Sequence, residues 1–204
     1  MLPELRAAAD RLLFDFGHLK YIAACLPKQG LDRTVPGSTW TVRQVIGHIS
    51  ADAMGKSEAV ARFLDGQPPV PPGWDADNAN ALAAASSGRA SLPSLVARLD
   101  AAWQATVDVY ERIDPDTAAR DFFGTALADV LTRWSRHTTV HGMELVDAIP
   151  ELRFDPMLLN WLLGVDFDWA PDAAARQRKL WEDVRALPEI ETDPPEHEEE
   201  HDAL

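Results

Sequence analysis

From Pro3 to Leu26, the apolar positions Leu5, Ala9, Leu12, Phe16, Leu19, Ala23 and Leu26 recur at steps of three and four. That spacing puts them on one face of a helix. Pro27–Thr39, with Gly30, Pro36 and Gly37, reads as a loop. A second helix starts at Thr41-Val42-Arg43-Gln44. There the Thr41 hydroxyl can accept from the Gln44 N–H and the Gln44 side chain can reach back, a capping box with Trp40 just ahead as a staple. It continues to Leu64, with Val45, Ile49, Lys56, Ala59 and Phe63 near one face, and Asp65-Gly66 ends it. Gly66–Ser91 is long and irregular, carrying Pro68, Pro69, Pro71 and Pro72 before Gly73 and Trp74, with room for a short helix over about Asn78–Ala85. A connection of this length inside a domain is usually functional or mobile.

A third helix spans about Leu92–Ile113, its face made by Leu95, Leu99, Trp103, Thr106 and Tyr110. The fourth spans about Ala126–Ile149, with Leu127, Val130, Leu131, Trp134, Thr138, His141, Leu145 and Ala148 in one stripe, and Pro150 stops it. Two shorter helices follow. One opens at Asp155-Pro156, a cap with proline at the first helical position, and the other runs from Pro171 to about Leu187. No segment alternates with period two, so no strand is predicted. The pattern is all-α, with four long helices and short C-terminal ones.

Composition narrows the class. The chain has 204 residues, 46% hydrophobic and 25% charged, which suits one globular domain. The helical pattern places that domain at 1–187. Residues 188–204 are acidic, lack bases and hold Pro194-Pro195, the composition of a disordered tail. The net charge of −14 excludes a non-specific nucleic-acid binder and a polybasic membrane anchor. Eight acids lie in Glu189–Leu204, leaving 25 acids against 19 bases before it, a charge of −6. No apolar run is long enough for a membrane span, and the N-terminal MLPELRAAAD is not a secretory signal. With Cys25 as the one cysteine, no intrachain disulfide or cysteine-based zinc cluster is available. These features predict a cytoplasmic protein with Cys25 as a buried structural thiol.

The candidate chemistry lies in the histidines. His137 and His141 are four apart on the fourth helix, so both rings can reach one ion, and both lie in or beside its apolar stripe. His48 sits at the edge of the apolar face of the second helix. Three inward imidazoles plus an open position make a catalytic-type metal site. The competing reading is ordinary core histidines, each with one hydrogen bond, and spacing alone leaves both open. His197-Glu198-Glu199-Glu200-His201 matches H-E-x-x-H literally, but it lies among acids at the C-terminus without the required buried helix and third ligand. A loose metal contact in the tail is a separate matter from a protease.

Trp40-Thr41-Val42-Arg43-Gln44-Val45-Ile46-Gly47-His48 and His137-Thr138-Thr139-Val140-His141 together resemble the DinB-like superfamily, in particular its branch related to the mycothiol-dependent maleylpyruvate isomerase N-terminal domain. The Pro-rich connection with Trp74, Asp75 and Asn80 is similar too, and the resemblance covers about Leu5–Ile149. It implies a four-helix bundle of up-down-down-up connectivity, to which the long Gly66–Ser91 connection is suited. It also implies a divalent metal, commonly zinc or nickel, on His48, His137 and His141. The activity implied is a thiol-dependent isomerase or S-transferase, with a low-molecular-weight thiol as cosubstrate. The alternative is a non-catalytic or stress-linked metal-binding bundle. The family's isomerase carries a further C-terminal domain, whereas about fifty residues follow the fourth helix here, so maleylpyruvate itself is not the expected substrate.

Asp52, four residues after His48, and Glu144, three after His141, are candidate bases, fourth ligands or partners that orient an imidazole. The competing reading for each is a solvated surface acid. Arg43 and Arg136 are candidates for attracting an anionic small-molecule substrate, although Arg136 suits a surface salt bridge better. Trp40 and Trp134 read as core or staple residues. A homodimer is compatible with such a bundle.

Overall fold

The computed structural model describes residues 3–163 apart from 28, 119 and 154. The helix read from Pro171, the acidic tail and the His197/His201 pair lie outside the described residues. The elements are α1 (Pro3–Cys25), a 3-10 turn (Gly30–Asp32), α2 (Val42–Leu64), α3 (Ala76–Ser87) and α4 (Leu92–Tyr110). They continue with α5 (Pro115–Ala118), β1 (Asp121–Phe122), β2 (Thr125–Ala126), α6 (Leu127–Ala148), a second 3-10 turn (Pro150–Leu152) and α7 (Pro156–Leu163).

The fold is all-α in substance. Helix α1 packs on α6 and α4, and α2 packs on α4, α3 and α6. The core has two parts. Leu5, Ala9 and Leu12 meet Val60 and Phe63, Val109 and Tyr110, and Leu127 and Leu131. Leu19, Ile22 and Ala23 meet Val45 and Ile46, Leu95 and Leu99, and Leu145 and Val146. The first halves of α1 and α6 therefore share one end of the molecule with the second halves of α2 and α4.

The start of α2 carries the capping box: the Gln44 N–H donates to Thr41 Oγ1 at 3.4 Å, and the Thr41 N–H to Gln44 Oε1 at 2.9 Å. Asp155 caps α7, its Oδ1 accepting from the Met157 N–H at 2.9 Å. These local signals set where each helix begins, and through α2 they fix the height of His48.

Two expectations need correction. Residues 121–126 form a small antiparallel hairpin, pairing Asp121 with Ala126 and Phe122 with Thr125. Strands of two residues are too short to show a period. Phe122 is fully buried against Phe63, and Phe123 turns the chain at φ 56° beside Gly124 at φ 77°. Cys25 is exposed, because it is the last residue of α1 and lies off the stripe that buries Ile22, Ala23 and Leu26.

Two glycines allow close approaches beside the histidines. A Cβ on Gly47 would lie 1.8 Å from Ser87 Oγ and 2.1 Å from Ser87 Cβ, so α3 can lie on α2 only because that position lacks a side chain. A Cβ on Gly142 would lie 2.3 Å from Trp161 Cη2, where α7 seats on α6. Gly47→Ala is expected to destabilise the fold by about 1–3 kcal/mol, since overpacking outweighs the roughly 1 kcal/mol gain in helix propensity. Urea unfolding measures it, and an unchanged midpoint would contradict the close approach.

Candidate metal centre

His48 projects from the first half of α2, and His137 and His141 from the middle of α6. They are brought together: one ligand atom from each lies within 4.8 Å of the other two. The His137 and His141 rings are 4.5 Å apart, and His48 stands edge-on to them at 5.9 and 5.0 Å. Trp40 closes the far side, its ring 5.1 Å from that of His48.

Hydrogen bonds orient the rings. Glu144 Oε2 lies 2.7 Å from His141 Nδ1. An ionised carboxylate only accepts, so Nδ1 carries the proton and the His141 lone pair is on Nε2. That Nε2 faces His137 Nε2 at 3.1 Å. Two nitrogens held about 2.05 Å from one tetrahedral zinc are separated by roughly 3.3 Å, so the facing pair has the spacing of two ligands on one ion. On the outer side of His137, Asp52 Oδ2 is 3.5 Å and Lys56 Nζ 3.3 Å from Nδ1, and Asp52 and Lys56 are themselves ion-paired.

The electrostatics suit neutral imidazoles. Burial, reinforced by the neighbouring His141, pushes His48 down to about 4, with Asp52 opposing. Burial also lowers His137, against the hydrogen bond that its ring donates to the Asp52 carboxylate. Burial lowers Lys56, with Asp52 opposing. For Asp52, burial acts upward, but the Lys56 ammonium and the His137 hydrogen bond outweigh it and hold the carboxyl well below the usual carboxylate range. His48 and His137 can thus offer lone pairs at neutral pH.

The site fits a borderline-soft divalent ion. His48 Nδ1 is buried with no hydrogen-bond partner among the described residues, a costly state for an imidazole nitrogen. The donor set is all-nitrogen, the preference of zinc, nickel, copper or iron(II) rather than magnesium or calcium. A cavity of about 20 Å³, room for a single water, lies against it and is lined in part by Asp52, Lys56, His137 and His141.

Every sequence-predicted ligand and both acids are therefore at this place. Arg43 is not free to recruit an anion: its guanidinium donates to the Ala90 carbonyl and pairs with Asp32. Sequence reasoning missed the role of Lys56, read only as a position on the helix face. Its signal was a lysine four residues after an acid on a buried face, the spacing of an ion pair.

Residues 18–146, which include all three histidines, match the family model described as the mycothiol maleylpyruvate isomerase N-terminal domain. Two solved structures are similar in fold. One is that of the mycothiol-dependent maleylpyruvate isomerase (TM-score 0.61, 15% identity, covering 78% of this chain and 68% of that one). The other is a mutant of the same enzyme (TM-score 0.62, 13% identity, the same coverage). At such identities the likeness is one of fold. No curated protein matches the chain.

Proposed function

The chain belongs to the mycothiol maleylpyruvate isomerase N-terminal domain family, and from that membership we propose a metal-dependent enzyme of the thiol-dependent isomerase or S-transferase type. The observation that carries this reading is the pair of imidazole nitrogens facing each other at 3.1 Å beside the His48 ring, in surroundings that keep His48 and His137 neutral. The ligands would be His48, His137 and His141. Zinc and nickel suit them best, and the cosubstrate is a low-molecular-weight thiol. The distribution of core residues supports up-down-down-up connectivity, with α1 and α6 running one way and α2 and α4 the other.

A divalent ion held there supplies a Lewis acid that lowers the pKa of a thiol or water brought to it. The protein's own groups do the rest. Glu144 holds the His141 proton on Nδ1 and turns Nε2 inward. Asp52 faces His137 from its outer side, and its charge is held by Lys56. A carboxyl this acidic is a weak base near neutral pH, so we assign Asp52 to orienting His137 rather than to taking a proton. The close-packed side chains around the rings leave space for little water, which strengthens these interactions.

Glu144→Gln tests the orienting role. The amide is nearly isosteric but loses the charge, and the zinc affinity is expected to fall by about 10–100-fold with the fold intact. Competition against a chelating dye gives the number. An unchanged affinity would remove Glu144 from the account. The reaction type is tested by assaying the metal-loaded chain for thiol consumption with small electrophiles. Metal binding with no thiol chemistry across such a panel would favour a non-catalytic metal protein.

A further inference from the structure

A cleft of about 320 Å³ opens between α2, the Pro69–Trp74 segment, α3 and α6. Asp52 and Lys56 form part of its wall, and the same two residues line the small cavity bounded by His137 and His141. The cleft therefore reaches the histidine centre through one ion pair. Its volume lies in the range of small-molecule sites, which combine apolar walls with a few convergent polar groups. Trp134 lines it and packs against the core, and the Lys56 ammonium sits 5.4 Å from the centre of its ring.

The lips are two large aromatic side chains held in solvent. Trp74 is 54% exposed and Phe123 53% exposed. Both stand where the backbone makes an unusual turn: Gly73 at φ 76° precedes Trp74, and Phe123 is itself in the left-handed region at φ 56°. A non-glycine residue there costs on the order of 1 kcal/mol or more, and such strain concentrates at ligand sites. The groove that holds Phe14, Trp103 and Met157 is also aromatic, but it shares no residue with the histidine centre.

We infer that this cleft binds the organic substrate, a small molecule whose flat ring or conjugated plane lies among Trp74, Phe123 and Trp134 and whose polar end reaches Asp52 and Lys56. The ring site stands on the cleft alone. Its identification as the substrate site rests on the proposed function.

The test uses 2-naphthol as a flat-ring probe on the full chain, followed through the indole N–H signals in nitrogen–proton correlation spectra. Saturable shifts are expected at Trp74 and Trp134. Trp74→Ala and Phe123→Ala, both at exposed positions, should each weaken binding about tenfold without changing metal content. Ala79→Trp, which fills the cleft from α3, should abolish it. Shifts confined to Trp103, no saturable shift with probe at its solubility limit, or unchanged affinity in the double variant would overturn the inference. Ring binding in a chain that holds no metal would overturn the proposed function and leave the ring site standing. Metal without ring binding would do the reverse.

Discussion

Asp15→Ala is expected to lower the stability of the fold by about 3–5 kcal/mol, the cost of breaking a buried charged network by removing one partner. Asp15 is fully buried. Its carboxylate accepts from Arg11 Nε at 2.9 and 3.1 Å, from Trp161 Nε1 at 2.7 Å and from the Ser135 hydroxyl. Three helices thus converge on one side chain. Alanine would leave the Trp161 N–H and the Ser135 hydroxyl in the interior without that acceptor. Trp161 also stacks on His18 with ring centres 4.7 Å apart and lies over Gly142, next in sequence to His141. Loosening it therefore acts on the segment of α6 that carries His137 and His141. Asp15→Asn keeps an acceptor oxygen and should cost less. Urea unfolding of the three proteins provides the measurement, and an alanine variant as stable as the parent would show that the network contributes nothing net.

Stripping the protein of metal and then adding zinc at about 100 times its dissociation constant should stabilise it by about 2.7 kcal/mol. For a chain of this size that is a rise in Tm of roughly 5–10 °C. The effect follows from linkage: the three histidines come from α2 and α6, so an ion that bridges them binds the folded state and has no comparable site in the unfolded one. In His141→Ala the shift should vanish, because one of the facing nitrogens is gone and the Glu144 partner with it. A full shift in that variant would place the zinc elsewhere.

Much of this was legible in the sequence because it is local. Apolar residues at helical spacing gave all four long helices, and the capping box at Thr41 and the Asp155-Pro156 start appear as read. The histidine cluster was legible for the same reason: i,i+4 spacing fixes two rings relative to each other, and the apolar stripe says which way they face. The short helix in the Pro-rich connection is longer than expected, Ala76–Ser87, because Asp75 caps it two residues earlier.

What was not legible depends on long-range contacts. Asp15 looks like any acid on a charged helix. Only the Trp161 and Ser135 donors, 146 and 120 residues away, make it a buried hub. The hairpin before α6 is too short for periodicity and is held by burial of Phe122. Cys25 was read from the general habit of cysteine, and its place at the end of α1 overrode that habit. Asp52 was read as a base, a fourth ligand or a partner that orients an imidazole, and its pairing with Lys56 shows only when the two side chains are placed together.

The proposed function stands on His48, His137 and His141 holding one divalent ion. The most direct measurement is elemental analysis of the chain purified without an affinity tag, in a background where His197 and His201 are already replaced so that the tail cannot contribute. About one zinc or nickel per chain is expected, and none in a variant carrying alanine at positions 48, 137 and 141. A fully loaded triple variant, or a parent chain that takes up no metal after incubation with zinc and nickel, would contradict it.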